Sequence, residues 1–239
     1  MGAFNYQVFD DKNQLARYFA NILKKKTGNR DKVYLAISGG STPQHIFDVM
    51  ANEFANDIAW DKLFVFWVDE RCVPPAHAES NYRMTYVHLL SKVPIPASHI
   101  FRVKTELGNQ EALQDYISTI NTHVPKHLGI PRFDLTVLGM GDDGHTASIF
   151  PHEIQLWHSP DVCTLGHHPQ SGQVRVTLTG KIINHSEQII FLVTGSNKSE
   201  KLKEIFGNSD KSTAYPASMV DMAKTTWLVD AEAAKLLTL

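Results

Sequence analysis

Cysteine is scarce in this sequence. Cys72 and Cys163 are the only two, far apart and without a CxxC or Cys/His neighbour at ligand spacing, which excludes a disulfide scaffold and a structural zinc site. Long apolar runs are missing as well: no stretch approaches the roughly 20 residues that a membrane helix requires. Nor is there an excess of positive charge. Lys and Arg number 23 against 25 Asp and Glu, a formal net charge of −2, so nothing here favours the counterion release that drives binding to a nucleic-acid backbone. The N-terminal MGAFNYQVFDDKNQ has neither the basic start nor the apolar core of a secretory signal, which predicts a cytoplasmic protein.

What is present is ordinary globular composition, 43% hydrophobic and 20% charged over 239 residues. A chain of this length hides roughly 70% of its unfolded surface, enough for one large core, and a single domain over residues 1–239 is expected. Short apolar runs recur at 33–37, 63–68, 135–138, 189–193 and 226–229, of the kind that buried parallel strands produce. Helical patterns lie before and between them, at 11–26, 43–54, 80–90, 110–123, 198–206 and 231–237, with Lys24, Lys25 and Lys26 closing the first. This alternation predicts an α/β fold, a doubly wound and mostly parallel sheet with helices on both faces. Val174 to Thr179 departs from it: its period-2 pattern suggests a strand that runs antiparallel or lines a cleft. The stretch from His152 to Gln173, with His158, His167 and His168 among prolines, reads as a surface loop that lids the site.

In open α/β sheets ligands bind beyond the carboxyl ends of the strands, so the residues after each run matter most. The first is followed by Ser38-Gly39-Gly40-Ser41-Thr42-Pro43, either a phosphate cradle or a well-capped turn into a helix. It is not a Walker A loop, because no Gly-Lys-Ser/Thr follows. The second is followed by Asp69-Glu70-Arg71, a solvated charge cluster unless the neighbouring loop holds phosphate, in which case Arg71 can grip it and Asp69 can position it or act on a substrate proton. The third is followed by GMGDDGHTASIFP at 139–151. Its GxGxxG does not indicate a dinucleotide, since two carboxylates oppose a pyrophosphate and Pro151 comes too soon for the required helix. Asp143, two residues before His145, can instead hold the imidazole in one tautomer, as a general base needs. The run at 189–193 is followed by TGSNK, where Lys198 in the first turn of a helix opposes the dipole and is better explained by an anionic ligand. Neither Ser41 nor Ser148 sits in a G-x-S-x-G elbow, which argues against a serine nucleophile.

Taken in order and spacing, SGGSTP at 38–43, DERCVP at 69–74, SNYRM at 80–84, the 139–151 segment, RVTLT at 175–179 and TGSNKSEKL at 194–202 resemble the 6-phosphogluconolactonases, in the wider group that includes the glucosamine-6-phosphate deaminases. The resemblance runs nearly end to end. It implies a Rossmann-like fold of the sugar-phosphate isomerase and deaminase type, and hydrolysis of 6-phospho-D-glucono-1,5-lactone to 6-phosphogluconate, the second step of the oxidative pentose phosphate pathway. His145 would then be the base, Asp143 its orienting partner and Asp69 a further catalytic group; Gly39, Gly40, Ser41, Thr42, Arg71, Arg175 and Lys198 would surround the phosphate and sugar. No cofactor or metal is implied, and the partner is a small sugar phosphate lactone, with the chain a monomer or weak homo-oligomer. Deaminases carry GHIAFNEP, with a glutamate five residues past the histidine; here that position is Phe150, which cannot transfer a proton. A non-catalytic sugar-phosphate sensor is the remaining alternative. Such sensors normally bring a DNA-binding helix-turn-helix, for which this chain has no spare segment.

Overall fold

The computed structural model describes residues 4–207 and 214–237; part of the N-terminal reading, residues 1–3, lies outside them. Twelve strands run β1 (Tyr6–Phe9), β2 (Val33–Ile37), β3 (Leu63–Trp67), β4 (Asp69–Arg71), β5 (Ile100–Phe101), β6 (Lys126–His127), β7 (Ile130–Pro131), β8 (Leu135–Leu138), β9 (Cys163–His167), β10 (Val174–Leu178), β11 (Ile189–Val193) and β12 (Thr225–Asp230). The helices are α1 (Lys12–Asn29), α2 (Ser41–Glu53), α3 (Asn81–Thr85), α4 (Asn109–His123), α5 (Gly180–His185), α6 (Ser199–Phe206) and α7 (Ala231–Ala234). Seven strands form the central sheet in the order β1-β12-β11-β8-β2-β3-β5, and every pairing in it is parallel.

Alternation along each strand divides the core between two faces. Ile189, Phe191 and Val193 of β11 pack with α4, α5 and α6, whereas Ile190 and Leu192 of the same strand pack with α1 and α2. Both faces are covered, which is why the strands read as unbroken apolar runs. From β2 the chain winds outward through β3 to β5, then returns to lay β8 on the other side of β2 and continues through β11 and β12. The winding direction reverses between β2 and β8, and a crevice opens at their carboxyl ends.

The second sheet, β4-β10-β9, is antiparallel. One residue, Val68, joins it to the central sheet: its N–H donates to Ile37 O, and its carbonyl accepts from Leu178 N, each at 2.8 Å. This confirms 174–178 as an antiparallel strand and corrects the reading of 152–173. Pro151–His158 is a 3₁₀ segment and Cys163–His167 is a paired strand, so the irregular parts are 159–162 and the β9-β10 turn at 168–173. The histidines and prolines there mask a strand whose partner is the next one along the chain, β10. The first helix begins after its N-cap Asp11 and runs on to Asn29, which leaves only Lys26 in the last turn; the terminal helix stops at Ala234. No described helix is long and apolar enough to cross a membrane.

Where β3 leaves the central sheet, its neighbour β5 has already ended opposite Phe66. The buried Tyr116 hydroxyl takes the missing partner's place, accepting from Trp67 N and donating to Trp67 O, both at 2.7 Å. Burial holds this phenol far above its ordinary pKa, so it stays a donor. Tyr116→Phe strands two buried backbone groups and is expected to lower the unfolding free energy by roughly 1–3 kcal/mol, read as a reduced urea midpoint at unchanged m-value.

Candidate active site

The crevice between β2 and β8 holds a cleft of about 230 Å3. Among the sequence-predicted residues, Gly39, Gly40, Ser41, Thr42, Asp69, Arg71, His145, Arg175 and Lys198 all line it; Asp143 alone stands behind, against His145. Five separate segments are thus brought to one place by the ends of β2, β4, β8, β10 and β11.

The glycine turn after β2 has conformational reasons for its sequence. Gly40 has φ +107 as the N-cap of α2, and no described side chain caps that helix, whose first residues Ser41 and Thr42 line the cleft. Gly39 admits Asn81: a Cβ there would stand 1.8 Å from Asn81 Oδ1. Asn81 in turn donates from Nδ2 to Asp69 O at 2.8 Å and lines the cleft. It was not among the predicted residues, and the signal that could have found it is SNYRM, whose Ser80 caps α3 through Arg83 N. Thr194 was likewise missed; its hydroxyl shares a 2.7 Å hydrogen bond with that of Thr42 and ties the two loops together.

Asp69, Glu70 and Arg71 turn out not to be a solvated cluster. Glu70 is 2% exposed and structural, accepting from Ser80 Oγ and from the N–H groups of Arg71, Asn81 and Tyr82. Burial raises its pKa, and these four donors oppose that rise. Asp69 and Arg71 point the other way along the strand and line the cleft. Arg71 lies directly opposite Arg175 across β4 and β10. Two like charges in register cost stability, and neither has a carboxylate in direct ion pair among the described residues. Arg71 Nη1 donates to Glu79 O at 2.7 Å, while its buried Nε has no acceptor among the described residues. Burial pulls the Arg175 pKa below its usual value, and the charge of Asp69 opposes that fall.

On the β8 side, His145 Nδ1–H donates to Asp143 Oδ1 at 2.6 Å, and His145 N–H donates to the same oxygen at 3.0 Å. Acceptance by a carboxylate assigns the proton to Nδ1 and leaves the lone pair on Nε2. Burial alone would raise Asp143; the hydrogen bond and charge of His145 outweigh it and bring the carboxyl down to about 2. Glycine is required at 141, where a Cβ would stand 2.1 Å from His145 Nδ1, and at 144, where φ is +83 and a Cβ would stand 2.7 Å from the Tyr215 ring. Phe150 is fully buried, its ring centroid 4.4 Å from that of His145 and 5.5 Å from the Arg175 guanidinium.

Lys198 requires a correction. Its charge at the start of α6 is met by Asp142, with which it forms a short ion pair, and Asn197 donates to the same carboxylate. An anion of the chain itself therefore accounts for the lysine's position, although the side chain also lines the cleft. The cysteines take no part: burial pushes Cys72 up to about 11 and Cys163 higher still. No described cluster of His, Cys, Asp and Glu could hold a metal ion.

Comparison with known proteins gives the family and the fold. A 6-phosphogluconolactonase of Treponema pallidum is 38% identical over 221 residues, 92% of each chain. The crystal structure of 6-phosphogluconolactonase from Thermotoga maritima superposes with a TM-score of 0.82 at 28% identity, covering 95% of this chain and 99% of that one. A monomeric glucosamine-6-phosphate deaminase shares the fold at a TM-score of 0.78 and 16% identity, covering 97% and 99%. Residues 11–228 match the family described as glucosamine-6-phosphate isomerases/6-phosphogluconolactonase, and the chain belongs to that family.

Proposed function

We propose that this protein hydrolyses 6-phospho-D-glucono-1,5-lactone to 6-phospho-D-gluconate, as the second step of the oxidative pentose phosphate pathway, in the cytoplasm and without a cofactor. The observation that carries the reading is the Asp143-oriented His145, set in the same cleft as three cations and the uncapped start of α2. A phosphate dianion suits the amides of Ser41 and Thr42 together with the cations, since helix N-termini and guanidinium groups both favour it. Nε2 of His145 takes a proton from water as the water oxygen attacks C1, and the carbonyl becomes an oxyanion facing the remaining cationic donors. When the carbonyl re-forms, the C1–O5 bond breaks and the imidazolium returns its proton to O5. Asp143 stays ionised throughout and stabilises the imidazolium.

Phe150 separates this reading from the deaminase one. Buried against the histidine, it supplies a neutral ring where ring opening of an amino sugar would need a proton carrier. Ser148 is an unsuitable nucleophile, because it is fully buried and its hydroxyl proton is committed to Asp69.

Purified protein is expected to accelerate loss of freshly generated lactone over the spontaneous rate and to release no ammonia from glucosamine 6-phosphate; the reverse pattern overturns the assignment. His145→Ala is expected to lower kcat by about 10²–10⁴-fold with little change in 6-phosphogluconate affinity, and Lys198→Ala to weaken that affinity more than it lowers kcat. Equal effects of both on both parameters would contradict the assigned roles. The folded pKa of Asp143, about 2, lies below its ordinary 3.8, so the stability it supplies is present above about pH 4 and lost as pH falls towards 2. The Tm difference between wild type and Asp143→Asn should therefore shrink from pH 5 to pH 2, and a constant difference would contradict this account.

A further inference from the structure

Ser148 lies outside the cleft, yet its hydroxyl stands between two groups that line it. Oγ–H donates to Asp69 Oδ2 at 2.6 Å, and Arg175 Nη1 donates to Oγ at 3.5 Å. Asp69 and Arg175 are 5% and 9% exposed and sit on adjacent strands, with Asp69 opposite Thr177, two residues along from Arg175. A carboxylate and a guanidinium so buried attract strongly, and direct bidentate contact would be their favoured arrangement. No such ion pair joins them among the described residues. The hydroxyl takes up the space and satisfies one oxygen of the acid while accepting from one nitrogen of the base. Arg175 makes one further side-chain hydrogen bond, Nε to Gln173 Oε1 at 3.3 Å, and rests over the Phe150 ring, so part of its donor fork stays uncommitted beside the cleft.

Several features hold Ser148 in place. Ala147, just before it, has φ +54, a left-handed conformation that is strained for any residue with a side chain and tends to persist where surrounding contacts over-determine it. Ser148 N–H donates to Thr177 Oγ1 at 3.1 Å. On β9, Gly166 passes so close that a Cβ there would stand 2.3 Å from Ser148 O. Thr146 and Ile149 bridge on either side of the turn. Sequence, strain and packing thus converge on the place of one hydroxyl that the catalytic scheme does not use.

We propose that Ser148 is a positioning residue for lactone hydrolysis. Its hydroxyl keeps Asp69 and Arg175 from collapsing into a direct ion pair, and thereby leaves the Arg175 guanidinium available to the anionic substrate. This rests on the hydrolase reading above, in which Arg175 serves the substrate.

The test is a double-mutant cycle on lactone hydrolysis with Ser148→Ala, Arg175→Ala and the double variant, each first checked for a cooperative thermal transition. Ser148→Ala is expected to lower kcat/KM by about tenfold or more, and the double variant to be no more than about twofold worse than Arg175→Ala, because both changes remove the same available guanidinium. A merely structural contribution would multiply with the Arg175 loss, and that outcome overturns the proposal, as does wild-type activity in Ser148→Ala. Should Ser148→Ala fail to fold, Ser148→Cys, close in size and a weaker donor, carries the same cycle with a smaller loss and the same non-additivity expected. Inactive wild-type protein would sink the hydrolase reading; active wild-type protein with multiplicative losses would sink only the role of Ser148.

Discussion

Two neighbouring parallel strands whose chains depart in opposite directions must leave a gap at their carboxyl ends, because no crossover covers the space between them. Here that gap lies between β2 and β8, and the residues of the candidate site are arranged around it. The first strand delivers the uncapped start of α2, and the second delivers the Asp143 and His145 pair. Neither loop could approach the other if helices packed over the strand ends. The parallel sheet thus supplies a polar floor without exposing its own apolar faces, which α1 and α2 cover on one side and α4, α5 and α6 on the other.

The small antiparallel sheet adds what the crevice lacks. Beyond Val68 the chain exchanges parallel for antiparallel partners, which carries Asp69 and Arg71 past the end of β3 and sets Arg71 opposite Arg175. Facing guanidinium groups repel, and the arrangement persists because Glu70 and its four donors anchor the same strand. The face of the strand turned inward stabilises the one turned to the cleft. Charge of both signs is distributed in this way throughout the site: Asp142 meets Lys198, Asp143 meets His145 and Ser148 stands between Asp69 and Arg175.

Much of this was legible in the residues. Short apolar runs located β2, β3, β8, β11 and β12 of the central sheet, since burial on both faces leaves them unbroken. Other strands escaped: β1 and β5 have four and two residues, and β9 of the second sheet is written CTLGH, too polar for an apolar run to show. The pairing of β5 is decided by β3, distant in sequence, and that of β9 by β10, the next strand along the chain. The same distinction divides the site. Gly39, Gly40 and His145 announce themselves by local grammar, whereas Asn81 and Thr194 look like ordinary turn residues until Asp69 O and the Thr42 hydroxyl are placed beside them.

By itself the sequence determined the fold class, the loops that line the cleft and the pairing of Asp143 with His145, because each depends on residues close together in the chain. Neutral net charge argued against a polyanionic partner, but a balance of −2 says nothing of where the charges lie. Only the tertiary structure decided that Arg71 and Arg175 face one another, that Lys198 answers to Asp142, and that Ser148 lies buried between an acid and a base. Those relations join residues of different strands and loops, and electrostatic energy depends on distance through space and on burial, neither of which is written along the chain.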